Sequence, residues 1–263
     1  MIADNDALYY YFMQPIQQST KTALINSHTV FVREFGDSTN PTVVLIHGIG
    51  MSSEYFIPYA KVSARAFHVI ALDLPGYGKA SKPKMPLTIE ALADVVVSFI
   101  QLEGISQATI IGQSMGCQIA AHVLEKAPKD CSAGVFLSPT INKYERTLLQ
   151  QAFRLLQDSF REPLHSNFIA LRNYARMGLR RYLITTGFML RDAIEVTLEG
   201  VTQPILIIRG EKDPVVPRKW VTVLTSINQT ITAREASGAP HLLQLHNPSE
   251  VASLTQEFIE GLK

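Results

Sequence analysis

Ala108-Thr109-Ile110-Ile111-Gly112-Gln113-Ser114-Met115-Gly116 is the stretch from which the rest of the chain can be read. A short apolar run ends in Gly-x-Ser-x-Gly, and an apolar-periodic run from Gln118 to Lys126 follows. That order predicts a strand, a sharp turn and a helix. A glycine on either side of Ser114 lets the strand and the helix approach where a Cβ would collide. The serine is left at the tip of the turn in a strained conformation, with its hydroxyl exposed above the sheet.

Working outward, other apolar runs repeat the pattern. Thr42-Val43-Val44-Leu45-Ile46 is a continuous β-branched run, the mark of a strand buried on both faces. It ends in His47-Gly48-Ile49-Gly50. Phe67 to Leu72 is a second such strand and ends in Asp73-Leu74-Pro75-Gly76-Tyr77-Gly78. Ala133 to Leu137, Pro204 to Arg209 and Gln229 to Glu235 read as further strands. Thr22 to Asn26 and Thr29 to Phe35 read as an antiparallel pair joined near Ser27-His28. Helices are expected over Ser53 to Ala66, from a Thr88 cap to about Glu103, and from Asn247-Pro248 to Leu262. Strands alternating with helices predict an α/β fold with a mostly parallel central sheet.

The rhythm breaks between about Thr140 and Gly200. Leu148, Leu149, Ala152, Phe153, Leu155, Leu156 and Phe160 recur at helical spacing, followed by helical patterns over Phe168 to Met177 and Tyr182 to Leu198. The expectation is a core domain of residues 1–139 and 201–263 with a helical lid inserted at 140–200. The insertion carries nine Lys and Arg against six Asp and Glu. It is expected to present a solvated charged face outward, with a basic funnel for acidic substrates as the alternative, and apolar Leu, Phe and Met side chains to a pocket beneath.

Composition narrows the function classes. The chain has 263 residues, 46% of them hydrophobic, and a net charge of +1, so no polyanionic partner such as nucleic acid is implied. Its two cysteines, Cys117 and Cys131, fit a reducing, cytoplasmic setting rather than a disulfide framework. No apolar run is long enough to span a membrane, and no stable membrane insertion is expected. Tyr9, Tyr10, Tyr11 and Phe12 are expected to pack on the domain surface or over a pocket, with a weak membrane or partner anchor as the sharper alternative. A homodimer is compatible with all of this. Gly48-Ile49-Gly50 is not a dinucleotide fingerprint, because Ser53 stands at the third glycine position. Gly78-Lys79 is not a phosphate loop, because Asp73 and Ala80 occupy the positions of its first glycine and its Ser or Thr. No zinc-type ligand spacing occurs, so neither a metal nor another cofactor is expected.

The chemistry rests on three residues in post-strand loops. A serine hydroxyl is a weak nucleophile near neutrality and needs a base, which in turn needs an orienting carboxylate. Asp213 lies in Gly210-Glu211-Lys212-Asp213-Pro214-Val215-Val216-Pro217, and His241 in Gly238-Ala239-Pro240-His241. Ser114, Asp213 and His241 are therefore the candidate catalytic residues, with His246 and Asp192 as alternatives for the base and the acid. The backbone N–H groups of Ile49 and Met115 are the candidate oxyanion donors, each worth about 3 kcal/mol to an acyl-transfer transition state. His47 is expected to hold its loop by a hydrogen bond.

These motifs, from the His47 loop through Asp73 to Ser81, Gly112 to Gly116, Gly210 to Pro217 and His241 to Pro248, occur in the order found in the α/β-hydrolase fold superfamily. The chain resembles its lidded single-domain serine hydrolases, the branch of esterases, C–C hydrolases and haloperoxidase-like enzymes. The family often has Gly directly before the His, where Pro240 stands here. The resemblance implies a cofactor-independent serine hydrolase acting on a small, largely apolar acyl substrate, a carboxylic ester first of all. C–C bond hydrolysis of a diketone, acyl-thioester hydrolysis or transfer, and ligand binding without turnover are the alternatives.

Overall fold

The computed structural model describes residues 16–262, and the aromatic run Tyr9 to Phe12 lies outside them. Eight strands form one sheet in the order β1-β2-β4-β3-β5-β6-β7-β8. They are β1 Gln18–Ile25, β2 His28–Phe35, β3 Thr42–Ile46, β4 His68–Asp73, β5 Ala108–Gln113, β6 Cys131–Leu137, β7 Ile205–Gly210 and β8 Ile231–Ala236. β1 and β2 form a hairpin whose turn residues, Asn26 and Ser27, both have positive φ. β2 also runs antiparallel to β4, and every later pairing is parallel.

Helices cover both faces, which is why the central strands read as unbroken apolar runs. Val44, Ile46 and Ile110 point into a core shared with α2 (Ile89–Leu102) and α3 (Met115–Lys126). Their neighbours Val43, Leu45 and Ile111 point the other way, against α1 (Ile57–Ser63) and the C-terminal helix Pro248–Glu260. Thr88 caps α2, its Oγ1 accepting from Ala91 N at 3.1 Å.

Two helical expectations are corrected. Ser53 to Ala66 is a 3-10 turn, Ser53–Phe56, followed by α1, which has Pro58 in its first turn. A proline there supplies no N–H to a preceding turn, so one continuous helix cannot form. A helix at Arg218–Thr225 carries the crossover between β7 and β8 and was not expected from the sequence. Its fully buried Trp220 donates from Nε1 to Pro139 O at 3.0 Å.

Between β6 and β7 stand α4 (Leu148–Ser159), α5 (Leu164–Met177) and α6 (Leu179–Arg191), then a helical turn at Ile194–Thr197. Thr147 and Gln150 close a reciprocal capping box on α4. With these labels, the Arg218–Thr225 helix is α7 and the Pro248–Glu260 helix is α8. No helix among the described residues is long and apolar enough to cross a membrane.

Candidate active site

Every candidate residue sits beyond the carboxyl end of a parallel strand, where the turns leading out of the sheet converge. Ser114 joins β5 to α3 with φ 54° and ψ −119°, a conformation costing about 1–3 kcal/mol for a residue with a Cβ. The neighbouring glycines are forced by contact. A Cβ on Gly112 would stand 2.3 Å from Gly116 O, and one on Gly116 would stand 2.2 Å from Ile46 O.

The three side chains form one hydrogen-bonded line. Ser114 Oγ is 3.0 Å from His241 Nε2, and His241 Nδ1 is 2.9 Å from Asp213 Oδ2. The carboxylate can only accept, so Nδ1 carries the proton and Nε2 is free to accept from the serine. Asp213 Oδ1 accepts from Val215 N and Val216 N at 2.7 and 3.1 Å. Burial pushes Asp213 up, but the charge and hydrogen bond of His241 outweigh it and hold the carboxyl below its ordinary value. Burial pushes the His241 imidazole down, and Asp213, followed by Asp158 and Glu162, more than offsets this and raises it to about 9.

The alternatives lie elsewhere. His246 is exposed. Asp192 accepts from Gln118 and pairs with His122 Nε2 at 2.8 Å instead of with His241. His47 accepts from Leu74 N at Nε2 (3.2 Å) and donates from Nδ1 to Gly48 O (2.9 Å), and burial lowers its pKa. It is a neutral brace between two loops. Met115 is the first residue of α3, so its N–H is one of the helix-end donors without an intrahelical acceptor. Ile49 lines the same cavity as Ser114. Both thiols are buried and free.

Residues 41–169 match the family model of the alpha/beta hydrolase fold. A bacterial membrane phospholipase A described as a virulence factor superposes with a TM-score of 0.79 at 21% identity, over 93% of this chain and 86% of that one. The chain has the α/β-hydrolase fold. This hydrolase is 23% identical to the 2-(acetamidomethylene)succinate hydrolase of Mesorhizobium japonicum, over 89% of its own length and 92% of that protein's. It is 26% identical to a pimeloyl-acyl-carrier-protein methyl ester esterase of Yersinia pseudotuberculosis, over 84% and 94%. A shorter match, 35% over 98 residues, joins it to the dihydrolipoyllysine-residue acetyltransferase component of the acetoin cleaving system of Cupriavidus necator. There it spans only 26% of the relative's length.

Two arrangements in this hydrolase escaped the sequence reading. The first is a buried chain of hydrogen bonds through Tyr55 and Gln113. Gly48 N donates to Tyr55 Oη (2.9 Å), Tyr55 Oη donates to Gln113 Oε1 (2.9 Å), and Gln113 Nε2 donates to His241 O (3.1 Å). The His47 loop, the serine turn and the histidine loop are thus tied through two side chains. Tyr55→Phe or Gln113→Leu leaves buried groups unpaired, at about 1–3 kcal/mol each. The expected result is a lower melting temperature and a kcat reduced about tenfold or more at little-changed KM. A normal kcat in both variants would remove this network from the argument.

The second arrangement comes from the insertion. Asp158 Oδ1 accepts from His241 N at 3.0 Å, and Glu162 Oε1 accepts from Leu242 N at 2.7 Å. Both carboxyls are buried. Burial, with Asp213 as a like charge, raises Asp158 to about 6. Burial, with Asp158 as a like charge, raises Glu162 to about 7. Acceptors for backbone N–H groups some 80 positions away carry no sequence signature.

Above Ser114 is a cavity of about 60 Å³, lined by Ile49, Ile141 and Val215 from the sheet side and by Leu148, Leu155 and Met189 from the insertion. Thr140, Gln151, Tyr182 and Thr186 supply its polar groups, and its lining contains no Lys or Arg. The expectation that insertion phenylalanines line it is corrected. Phe153, Phe160 and Phe168 are exposed on the outer surface.

Proposed function

We propose that the protein is a serine hydrolase cleaving the carboxylic ester of a small, neutral, largely apolar acyl group. The observation that carries the reading is the single line from Ser114 Oγ through the His241 imidazole to Asp213, at 3.0 and 2.9 Å. His241 takes the Ser114 proton as Oγ bonds to the ester carbonyl carbon, and the N–H groups of Ile49 and Met115 receive the oxyanion. Collapse breaks the bond to the alcohol, which leaves with the proton from His241. Water then gives a proton to His241 as it attacks the acyl-serine, and the acyl–Oγ bond breaks as His241 returns that proton to Ser114 Oγ, releasing the acid. Asp213 keeps the proton on Nδ1 and stabilises the imidazolium. Residues 140–200 serve as the lid, and 1–139 with 201–263 as the catalytic domain. Two free buried thiols support a cytoplasmic setting.

The cavity lining supports a neutral substrate. Acid-bearing substrates, such as those named for the succinate hydrolase relative or required by dienol-acid C–C hydrolysis, need a cation near the reacting carbon. Here the cavity has none, and Asp158 and Glu162 set two further carboxyls close to His241. The named esterase relative supports the ester bond. The cavity is only about 60 Å³, so a shift of the lid would widen it for the longer esters. The test is steady-state hydrolysis of p-nitrophenyl esters from acetate to decanoate, beside the same esters ending in a carboxylate. The neutral series should react faster and peak at one chain length. Faster turnover of a dienol acid than of any ester would replace this reading by C–C hydrolysis.

A further inference from the structure

The outer surface of the insertion is apolar where a solvated face was expected. On α4, Gln151, Leu155 and Asp158 face inward, and Leu149, Phe153 and Phe160 stand on the opposite side at 82%, 57% and 83% exposure. On α5, Asn173 and Met177 face inward, and Leu164, Phe168 and Leu171 stand opposite at 88%, 67% and 69%. Each helix thus carries a stripe of exposed apolar side chains on its outer side, which no other described residue covers. Leaving a Leu or Phe in water forgoes about 1.5–3 kcal/mol of burial. Isolated cases are ordinary, but contiguous stripes on adjoining helices mark a contact surface.

The charges on these helices say what would cover it. From Leu148 to Arg191 there are seven arginines and two acids, and both acids, Asp158 and Glu162, are buried beneath the helices. Arg154 pairs with Glu145, and Arg172 and Arg176 pair with Glu54, so the exposed guanidinium groups left without a carboxylate partner among the described residues include Arg161, whose Nη1 donates to Lys212 O, and Arg180. Arg161 is exposed between Phe160 and Leu164, and Arg180 is exposed beside Leu179. At the corner of α5 and α6 an open groove of about 320 Å³ runs between Lys84, Met85, Leu179 and Arg180. The whole chain is only +1, so this positive character is local. A symmetric contact with a second copy would bring the same arginines against one another. An anionic lipid headgroup layer over acyl chains matches both features.

We propose that the outer face of α4 and α5, with the start of α6, seats on the surface of an anionic phospholipid bilayer. Leu149, Phe153, Phe160, Leu164, Phe168 and Leu171 enter the boundary between headgroups and acyl chains. Arg161 and Arg180 lie among the phosphates, each contributing about 1 kcal/mol near such a surface. The chain lies on the bilayer and does not cross it. This needs no turnover at Ser114, so it stands or falls apart from the esterase reading.

The experiment is flotation of the full chain with vesicles of phosphatidylcholine alone or mixed with phosphatidylglycerol. Binding to the mixed vesicles should be at least about tenfold tighter and weaken with added salt. The triple variant Phe153→Gln, Phe160→Gln, Phe168→Gln should lose about tenfold or more in binding while melting no lower than wild type. Arg180→Gln should reduce the preference for the anionic vesicles, and Ser114→Ala should bind as wild type does. Equal affinity for both vesicle types, unchanged binding by the triple variant, or no vesicle binding with sedimentation as a dimer that the triple variant abolishes, would overturn the proposal.

Discussion

Ser114→Ala is expected to lower kcat on the best p-nitrophenyl ester by about 10³- to 10⁶-fold, with the fold intact. The substitution removes the hydroxyl that meets His241 Nε2 at 3.0 Å in the Asp213–His241 line. Thr140 Oγ1 lies beside Ser114 Oγ at 3.5 Å, but no hydrogen bond from Thr140 to His241 is present to activate it. The helix-end donors at α3 and the cavity remain, so some residual catalysis over water is expected. Stability should change little, because alanine keeps a Cβ at φ 54° and so keeps the strain at the turn. Burst and steady-state kinetics beside a thermal melt separate the two effects. A folded variant retaining a tenth of wild-type turnover would exclude Ser114 as the nucleophile.

Asp213→Asn is expected to reduce kcat by about 10³- to 10⁴-fold near neutral pH. An asparagine can meet His241 Nδ1 with an N–H, which favours the tautomer whose Nε2 carries the proton and cannot accept from Ser114. The pH profile should move as well. His241 works as a base only when neutral, and its pKa is raised to about 9, so wild-type kcat/KM should rise with pH through that alkaline range. Removing the Asp213 charge should carry the remaining activity's limb to lower pH. The same groups link pH to folding. The raised His241 pKa contributes stability fully present below its ordinary 6.5 and lost as pH rises through about 9. The lowered Asp213 pKa contributes stability present above its ordinary 3.8 and lost as pH falls below that. Melting temperature against pH should therefore flatten at both ends in the variant. A limb that does not move would mean that Asp213 is not what sets the His241 pKa.

The sheet and its loops were legible because their signals are local. Val43 to Ile46 had to be a two-faced strand, and Gly112 and Gly116 mark a contact that no other residue permits. Ser114, Asp213 and His241 each follow such a strand, so their convergence followed once the strands were parallel. Tyr55, Gln113, Asp158 and Glu162 were not legible, because their partners are backbone groups or side chains that only the folded chain brings near. The insertion failed differently. Periodicity revealed that Leu149, Phe153 and Phe160 share a helix side, but α4 has a second apolar side in Leu148 and Leu155. Spacing alone does not say which of two apolar sides meets the protein.

The buried carboxyls of Asp158 and Glu162 would couple any opening of the insertion to proton release. Closed on the histidine loop, they titrate near 6 and 7; swung into water, they return toward 3.8 and 4.5. Their raised values mean that ionisation disfavours closure, a penalty that begins above the ordinary carboxyl range and is complete above about 7. Arg161 and the His241 imidazolium offset part of it. Closing between those limits therefore takes up protons from solvent, and each opening releases them. Acidification by the enzyme's own acid product would then slow the exchange of substrate and product, a form of self-limitation that follows from where two side chains are buried. Opening of α4 and α5 followed by hydrogen exchange, corrected for intrinsic rates, should be more frequent at pH 8 than at pH 6, and the reverse order would rule this coupling out.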